Sequence, residues 1–577
     1  MASSLQPEAS GTSARLPRID SMAPSATSTM IEDDDALEEE IRRDEERIEE
    51  YGGDDPEEPA TKSPALKSPS LKAGAASTPA FHQKHEHDPN MVRFAGPEDK
   101  GNPQNWSRKY KWFVTIICSL MTVNVTFASS APASATGLIV VKFGVSLEVS
   151  YLITTLFLLG YVAGPTLWGP GSELVGRRPI FCVTMVCYTL FIIGQALAQN
   201  IETLLITRFF SGFFACAPLT NSGGVIADIW DPITRGTATS IFTTMVFLGP
   251  VLGPIVSGFV AEDTGNFRLV FWVMFAFAGF CSVLTIAFLP ETYAPRILEK
   301  RAKRLRKEDP VKNKDLYAEA ERQDWEFKGL MDRTLKRPFK MLAVEPILLL
   351  VTIYLSVVYG VLYGLFEAIP VIFMEKRGFT IAQSGLIFIA VGIGATLGSI
   401  INVYATRMYP TLVKEWRGFP PPEKRLYGGM VAGPALVVGA FWLGWTGNYP
   451  NVHWAAPAVS LVLIGISVSL VFISFLSYLV DTYLMYAASA LAANTIMRSA
   501  VGAAFPLFTT KMYEGMGVQW ASTLIALVAL VLAPIPFLFY KYGARIRGSS
   551  KFAPCIDLKI AAAIAAEKAS HESKAEP

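Results

Sequence analysis

Long apolar runs set the pattern of this chain. On a window of about 19 residues they fall at 112–134, 149–168, 179–198, 202–226, 237–260 and 269–289, then at 345–373, 381–403, 428–446, 455–480, 486–508 and 519–540. A helix of about 20 apolar residues crosses the hydrocarbon core of a bilayer. The pattern therefore predicts twelve spanning helices in two sets of six. A charged stretch containing LEKRAKRLRKEDPVKNK parts the two sets. Six plus six about a charged middle loop suggests two repeated bundles. The expected order is a disordered acidic tail over 1–100, a six-helix bundle over 101–290, a central loop over 291–344, a second bundle over 345–541 and a tail over 542–577.

Composition agrees with a membrane protein. Of 577 residues 51% are hydrophobic and only 18% charged, with mean hydropathy +0.33. The net charge of +1 says nothing about partners, and no nucleic-acid partner is expected. The partners expected are the lipid bilayer and a small-molecule substrate, with the chain a monomer. The first hundred residues are polar, so no cleavable signal peptide is expected. Cys118, Cys182, Cys187, Cys216 and Cys281 lie in apolar runs and Cys555 in the tail, which gives no disulfide framework.

The amino-terminal tail holds an acidic block, DDDALEEEIRRDEERIEE, with no apolar face to dock. Ser63, Ser68 and Thr78 each precede proline and read either as phosphorylation sites or as spacer. His82, His85 and His87 cluster without a fold to preorganise them, so no metal site is expected.

Charge sets the orientation. Arg177, Arg178, Arg235, the central loop, Arg407, Lys414, Arg417, Lys424 and Arg425 follow even-numbered runs. Lys142, Arg268, Lys376, Arg377 and Lys511 follow odd-numbered ones. The more basic side should be cytoplasmic, which places both termini there.

Several polar residues interrupt the apolar runs and need a reason. Arg208 is a costly charge inside the fourth run, by at least about 2.5 kcal/mol on insertion scales. Either it faces a wet interior and pairs, or it is structural near an interface. Gly249, Gly253 and Ser257 recur every four residues in the fifth run, a smooth face for close packing. Pro250 and Pro254 each remove a backbone donor there. In the seventh run Tyr359, Tyr363 and Glu367 share one helix face. They form either a cation-binding wall or an interfacial belt. Asn494 and Arg498 lie one turn apart in the eleventh run, and Asn124 and Asn221 add buried amides. An enzyme is not expected. His453 is the one histidine within the bundle span, and no nucleophile–base set accompanies it.

The stretch GPGSELVGRRP, 169–179, reads as a short polar hinge between the second and third runs. It resembles the signature loop of the major facilitator superfamily, with Glu173 where Asp is usual. In that family the loop is a latch between the halves of a transporter. The resemblance implies latch roles for Glu173, Arg177 and Arg178, and pairs Asp228 with Arg177. Arg208 with Gly212 resembles a second family motif, tied to proton transfer beside a nearby carboxylate. Gly249, Pro250, Gly253, Pro254 and Gly258 resemble the antiporter motif of the drug:proton exporters.

NPQNW, APLTNSGGVIADIW, LPETYAPRIL, RPFKMLAVEPI, FEAIP, PPEKRL, YLVDTY, AANTIMRS and GAAFPLF extend the resemblance over about 102–547. Together they resemble the fungal drug:proton antiporters with twelve spanners, the branch of polyamine and multidrug exporters. This implies two six-helix bundles and proton-coupled export at the plasma membrane, or second the vacuolar membrane. No cofactor beyond the proton gradient is implied. Asn124, Asn221, Tyr359, Tyr363, Glu367, Asn494 and Arg498 are the expected substrate cavity. An uptake porter or a transporter-like nutrient sensor would share the fold.

Overall fold

A computed structural model describes residues 90–96, 98–231, 234–321, 336–416, 418–562 and 564. The acidic block, the Ser-Pro sites and the histidine cluster lie outside the described residues. The first bundle is built from α1 (Arg108–Ser130), α2 (Leu147–Ala163, continued by Pro165–Val175), α3 (Arg177–Ala196), α4 (Ile201–Ile229), α5 (Arg235–Thr264) and α6 (Phe267–Phe288). The second is built from α7 (Pro346–Ile369), α8 (Ile381–Leu386, continued by Phe388–Ala405), α9 (Tyr427–Gly447), α10 (Ala455–Tyr483), α11 (Ala487–Met516) and α12 (Val518–Leu532, continued by Ile535–Arg547).

Ten of the described helices are long and apolar enough to cross a membrane, or eleven if the bent pair forming α2 is one span. The longest apolar stretch, Ala455–Met516, has 62 residues. As one rod it would reach roughly 90 Å at 1.5 Å per residue, about three times the hydrocarbon thickness. It folds instead as a hairpin. Leu484 turns the chain with a φ of 43°. The Arg498 guanidinium lies 5.1 Å from the Phe472 ring centre, one residue on each arm at a similar remove from the turn. With that hairpin counted as two passes, and the bent pair as one, the described residues hold twelve spanning helices.

The outer faces are apolar. On α6, Phe280, Val283 and Ile286 recur every three residues and are 57, 66 and 47% exposed. A bilayer, not water, suits that surface.

Three sequence expectations change. The stretch 169–179 is no loop: Gly169 to Val175 belong to the second part of α2, bent 43° from the first. The turn shrinks to Gly176, whose φ of 107° favours glycine. The amino-terminal tail ends before residue 100. Val92 is buried with Ala302 and Ala318, and its N–H donates to the Tyr317 carbonyl at 2.9 Å. Ala302 belongs to a loop helix, Ala294–Glu308. The carboxy-terminal tail also docks. Phe552 and Asp557 are 2 and 6% exposed.

Candidate functional site

A narrow cavity lies between the bundles. Thr126 of α1, Leu219 of α4, and Val246, Phe247 and Pro250 of α5 supply one wall. Tyr359, Leu362 and Tyr363 of α7, Phe472 of α10 and Arg498 of α11 supply the other. Another small void is lined by α7, α9, α10, α11 and α12 alone. It touches one bundle only, so rocking of the bundles cannot expose it to two sides in turn.

The prolines of α5 matter locally. An α-helical N–H bonds to the carbonyl four residues back. Pro250 and Pro254 have no N–H to give to Val246 and Pro250, and both of those residues line the cavity. The glycines of the same motif have two uses. A Cβ at Gly249 would overlap Thr126 Oγ1, and one at Gly253 would overlap Ser130 Oγ, so both let α5 lie on α1. A Cβ at Gly258 would come 3.2 Å from the Ile381 carbonyl oxygen, at the start of α8 in the other bundle.

Polar contacts join the bundles mainly at the end remote from the central loop. Tyr151 and Thr510 hydroxyls meet at 2.8 Å, Thr155 donates to the Ala503 carbonyl at 2.9 Å, and Lys511 meets Glu148 at 2.9 Å. The Ala382 N–H donates to Glu262 at 2.7 Å. Deeper in, Ser129 and Tyr363 hydroxyls lie 2.8 Å apart, and Thr244 donates to Ser399 at 2.7 Å. The cavity is thus sealed on the far side. Glu367 sits in this seal, 6% exposed, and interacts with the Tyr151 hydroxyl across the divide. Among the described residues no cation forms an ion pair with it.

Arg208 is fully buried. Its Nε donates to the Ile153 carbonyl and its Nη1 to the Ala128 carbonyl, each at 3.0 Å. Its guanidinium lies 4.2 Å from the Phe157 ring centre. The expected carboxylate partner is replaced by backbone, because α1 and α2 bring two carbonyls within reach. Gly160 and Gly212 permit this crossing. A Cβ at either would overlap backbone of the facing helix.

The other amide candidates scatter. Asn221 donates to the Trp168 carbonyl at 3.0 Å and ties α4 to α2 rather than lining the cavity. Asn494 donates to Thr352 at 3.3 Å within the second bundle. Asn124 is buried with neither amide atom hydrogen-bonded. Tyr359, Tyr363 and Arg498 are brought together, with the tyrosine rings 4.9 Å apart.

At the loop end, Arg177 Nε meets Asp228 at 3.3 Å, and its Nη1 donates to Ser172 at 2.6 Å. Gly224 leaves space for the guanidinium: a Cβ there would lie 2.8 Å from Arg177 Nη2. Glu173 is exposed and forms no ion pair among the described residues. The acid that closes this cluster is Glu291. One oxygen of Glu291 accepts from the N–H of Arg177 at 2.9 Å, of Thr292 at 3.1 Å and of Tyr293 at 3.2 Å. Sequence reasoning placed Glu291 in the loop and missed this. The signal was Pro290, which stops α6 and turns the next carboxylate back. Burial, then the Glu173 carboxylate, push the Tyr293 hydroxyl up to about 12, so it stays neutral beside Arg177. Arg178 donates instead to the Ile286 carbonyl at 3.2 Å.

Two six-helix bundles about a shared cavity define a multi-pass membrane transporter, not an enzyme. The family model of the Major Facilitator Superfamily matches residues 113–506, and the chain belongs to that superfamily. An efflux pump of Trichophyton rubrum, MFS2, is 42% identical over 85% of this chain and 82% of its own length. The ascochitine biosynthesis cluster transporter of Didymella fabae is 42% identical over 81% of this chain and 90% of its own. The citrinin biosynthesis cluster transporter mrr1 of Monascus ruber is 41% identical over 80 and 92%. Among solved structures, the proton:xylose symporter XylE superposes with a TM-score of 0.56 at 15% identity, covering 76% of this chain and 96% of its own. The human organic anion transporter MFSD10 gives 0.53 at 17%, covering 74 and 99%. These two likenesses concern the fold alone.

Proposed function

We propose that this chain is a proton-coupled secondary transporter that exports a small organic compound by alternating access. The observation that carries the reading is Glu367, a buried carboxyl in the far-side seal with no cation paired to it. Burying a carboxylate there is costly, and taking up a proton removes that cost. Opening the seal to water therefore favours proton release, and closing it favours the protonated acid. In this scheme Glu367 carries the proton, and the cavity beside Tyr359 and Tyr363 carries the substrate. Arg208 holds α1, α2 and α4 in register. Arg177, Asp228 and Glu291 form the latch at the loop end.

The direction follows from two lines of support. The Trichophyton rubrum relative is named an efflux pump, and α5 carries the paired Gly-Pro motif. The basic loops support a cytoplasmic central loop and cytoplasmic termini, with the polar seal on the opposite side. The plasma membrane is the expected home, and the vacuolar membrane the second choice.

The test is efflux from proteoliposomes holding purified protein, with and without an imposed proton gradient, across drugs, polyamines and aromatic metabolites. Gradient-driven export that Glu367→Gln uncouples is the expected result. Uptake driven by the gradient, or wild-type coupling in Glu367→Gln, would overturn the reading.

A further inference from the structure

Of the four described buried arginines, two meet carboxylates and Arg208 is held by backbone with its Nη2 left over, but only Arg498 lines the cavity between the bundles. Arg547 meets Glu423 and Asp557, Arg177 meets Asp228, and Arg208 donates to two carbonyls. Arg498 is 8% exposed, and its Nε is buried without a hydrogen-bond partner. Its nearest neighbours are rings: Tyr359 at 5.2 Å and Phe472 at 5.1 Å. Among the described residues no carboxylate forms an ion pair with it, and no carboxylate lines the cavity. A desolvated guanidinium without a counter-charge is costly. Here the counter-charge is missing where a ligand would sit.

The walls add a second constraint. The Phe247 and Phe472 rings lie 5.1 Å apart across the divide between the bundles. Tyr359 and Tyr363 stand beside them at 4.9 Å from each other. Two rings on the cation and two more beside them suit a flat aromatic body that carries one negative group.

Resting on the transporter reading above, we infer that the central cavity takes small aromatic organic anions, with the carboxylate on Arg498. A guanidinium holds a carboxylate through paired N–H donors, and Arg does this better than Lys. A polyamine or cationic drug would meet the same charge as repulsion. Arg498 thus sets the sign of the substrate.

The experiment compares two probes of like size and opposite charge, naphthoate and naphthylmethylammonium. Equilibrium binding is measured in detergent, with no gradient, so that a failure of proton coupling leaves this result untouched. Wild-type protein should bind naphthoate more tightly by about tenfold or more. Arg498→Gln should bring the two affinities to within about threefold, and Arg498→Lys should keep part of the preference. Each variant is checked by its thermal unfolding, and the wild-type ratio stands without any variant. Equal or tighter binding of the cation, binding of neither probe, or an unchanged ratio in folded Arg498→Gln would overturn the assignment.

Discussion

Arg208 donates to the Ala128 carbonyl at 3.0 Å, and Pro132 is what leaves that carbonyl free. In a regular helix residue 132 would supply its N–H to residue 128, and proline has none. The chain breaks its own backbone ladder in α1 and repairs it from α4. Removing Arg208 should leave a buried acceptor unmet, a cost of about 1–3 kcal/mol. Arg208→Ala should therefore lower the unfolding temperature. In a Pro132→Ala background the same change should cost less, with a coupling of about 1 kcal/mol. Strict additivity of the two would remove Pro132 from the explanation.

At the loop end, Arg177→Ala and Asp228→Asn should each cut transport severely while the protein still reaches the membrane. Exchanging the two charges should restore only a fraction. Gly224 makes room for a guanidinium on the Arg177 side, and a shorter carboxylate there would not fill it. Glu291→Gln should impair transport as well, because its carboxylate accepts from three N–H groups. Glu173→Gln should be the mildest of the set. A Glu173 effect equal to that of Asp228 would return the latch to Glu173.

Much of this architecture was legible in the sequence. Spans are set by runs of apolar residues, and those runs survive into the structure with their order and number intact. Gly249 and Gly253 were legible as a packing face because small residues at fourfold spacing have little other use. What stayed hidden depends on contacts between distant segments. The Arg208 partners are backbone carbonyls, which no residue type announces. Asp557 lies in a stretch that reads as tail, yet it closes on Arg547. Residues 169–175 read as a hinge because glycine and proline signal turns in water. In an apolar setting the same residues continue a bent helix, since every exposed carbonyl there must find a partner.

The glycines allow a controlled comparison. A Cβ at Gly249 or Gly253 would overlap a side-chain oxygen and crowd the α1 backbone, whereas one at Gly223 meets nothing within 4 Å. Gly249→Ala and Gly253→Ala should each destabilise by about 1–3 kcal/mol and reduce transport. Gly223→Ala on α4 should be silent in both. Unfolding temperature and initial transport rate, measured on the same preparations, separate the cases. Equal behaviour of all three would mean that α5 does not need its close seat on α1.

Arg547 is 1% exposed and binds two carboxylates through distances of 2.7 to 3.0 Å. Breaking one arm of such a buried set costs about 3–5 kcal/mol. Asp557→Asn, or truncation after Gly548, should therefore lower the unfolding temperature more than most surface changes. Asp557→Asn with Arg547→Met and Glu423→Gln should recover part of the loss, since no buried charge is then left behind. A truncated protein as stable as the full chain would show that the tail contributes no more than cover.

The last prediction concerns the strap before α1. The Ala95 N–H and the Gly101 N–H donate to the two oxygens of Asp99, at 2.9 and 2.8 Å, and Arg301 of the loop helix meets it at 2.5 Å. The Ala95 hydrogen bond first, then Arg301, hold this carboxyl down to about 2 from its ordinary 3.8. A carboxyl lowered in the folded state stabilises above its unfolded value and loses that contribution as it is protonated. The strap should therefore be fully held above about pH 4 and loosen as pH falls towards about 2. Hydrogen exchange at Ala95 and Gly101, corrected for the intrinsic rate, reads this directly. Protection should drop across that window in the wild type. In Asp99→Asn it should be weaker at neutral pH and flat on acidification, because no carboxyl remains to titrate. Arg301→Gln should keep the two N–H contacts and move the midpoint upward. A wild-type profile flat from pH 6 to 2 would mean that the strap is held by Val92 and its apolar neighbours alone.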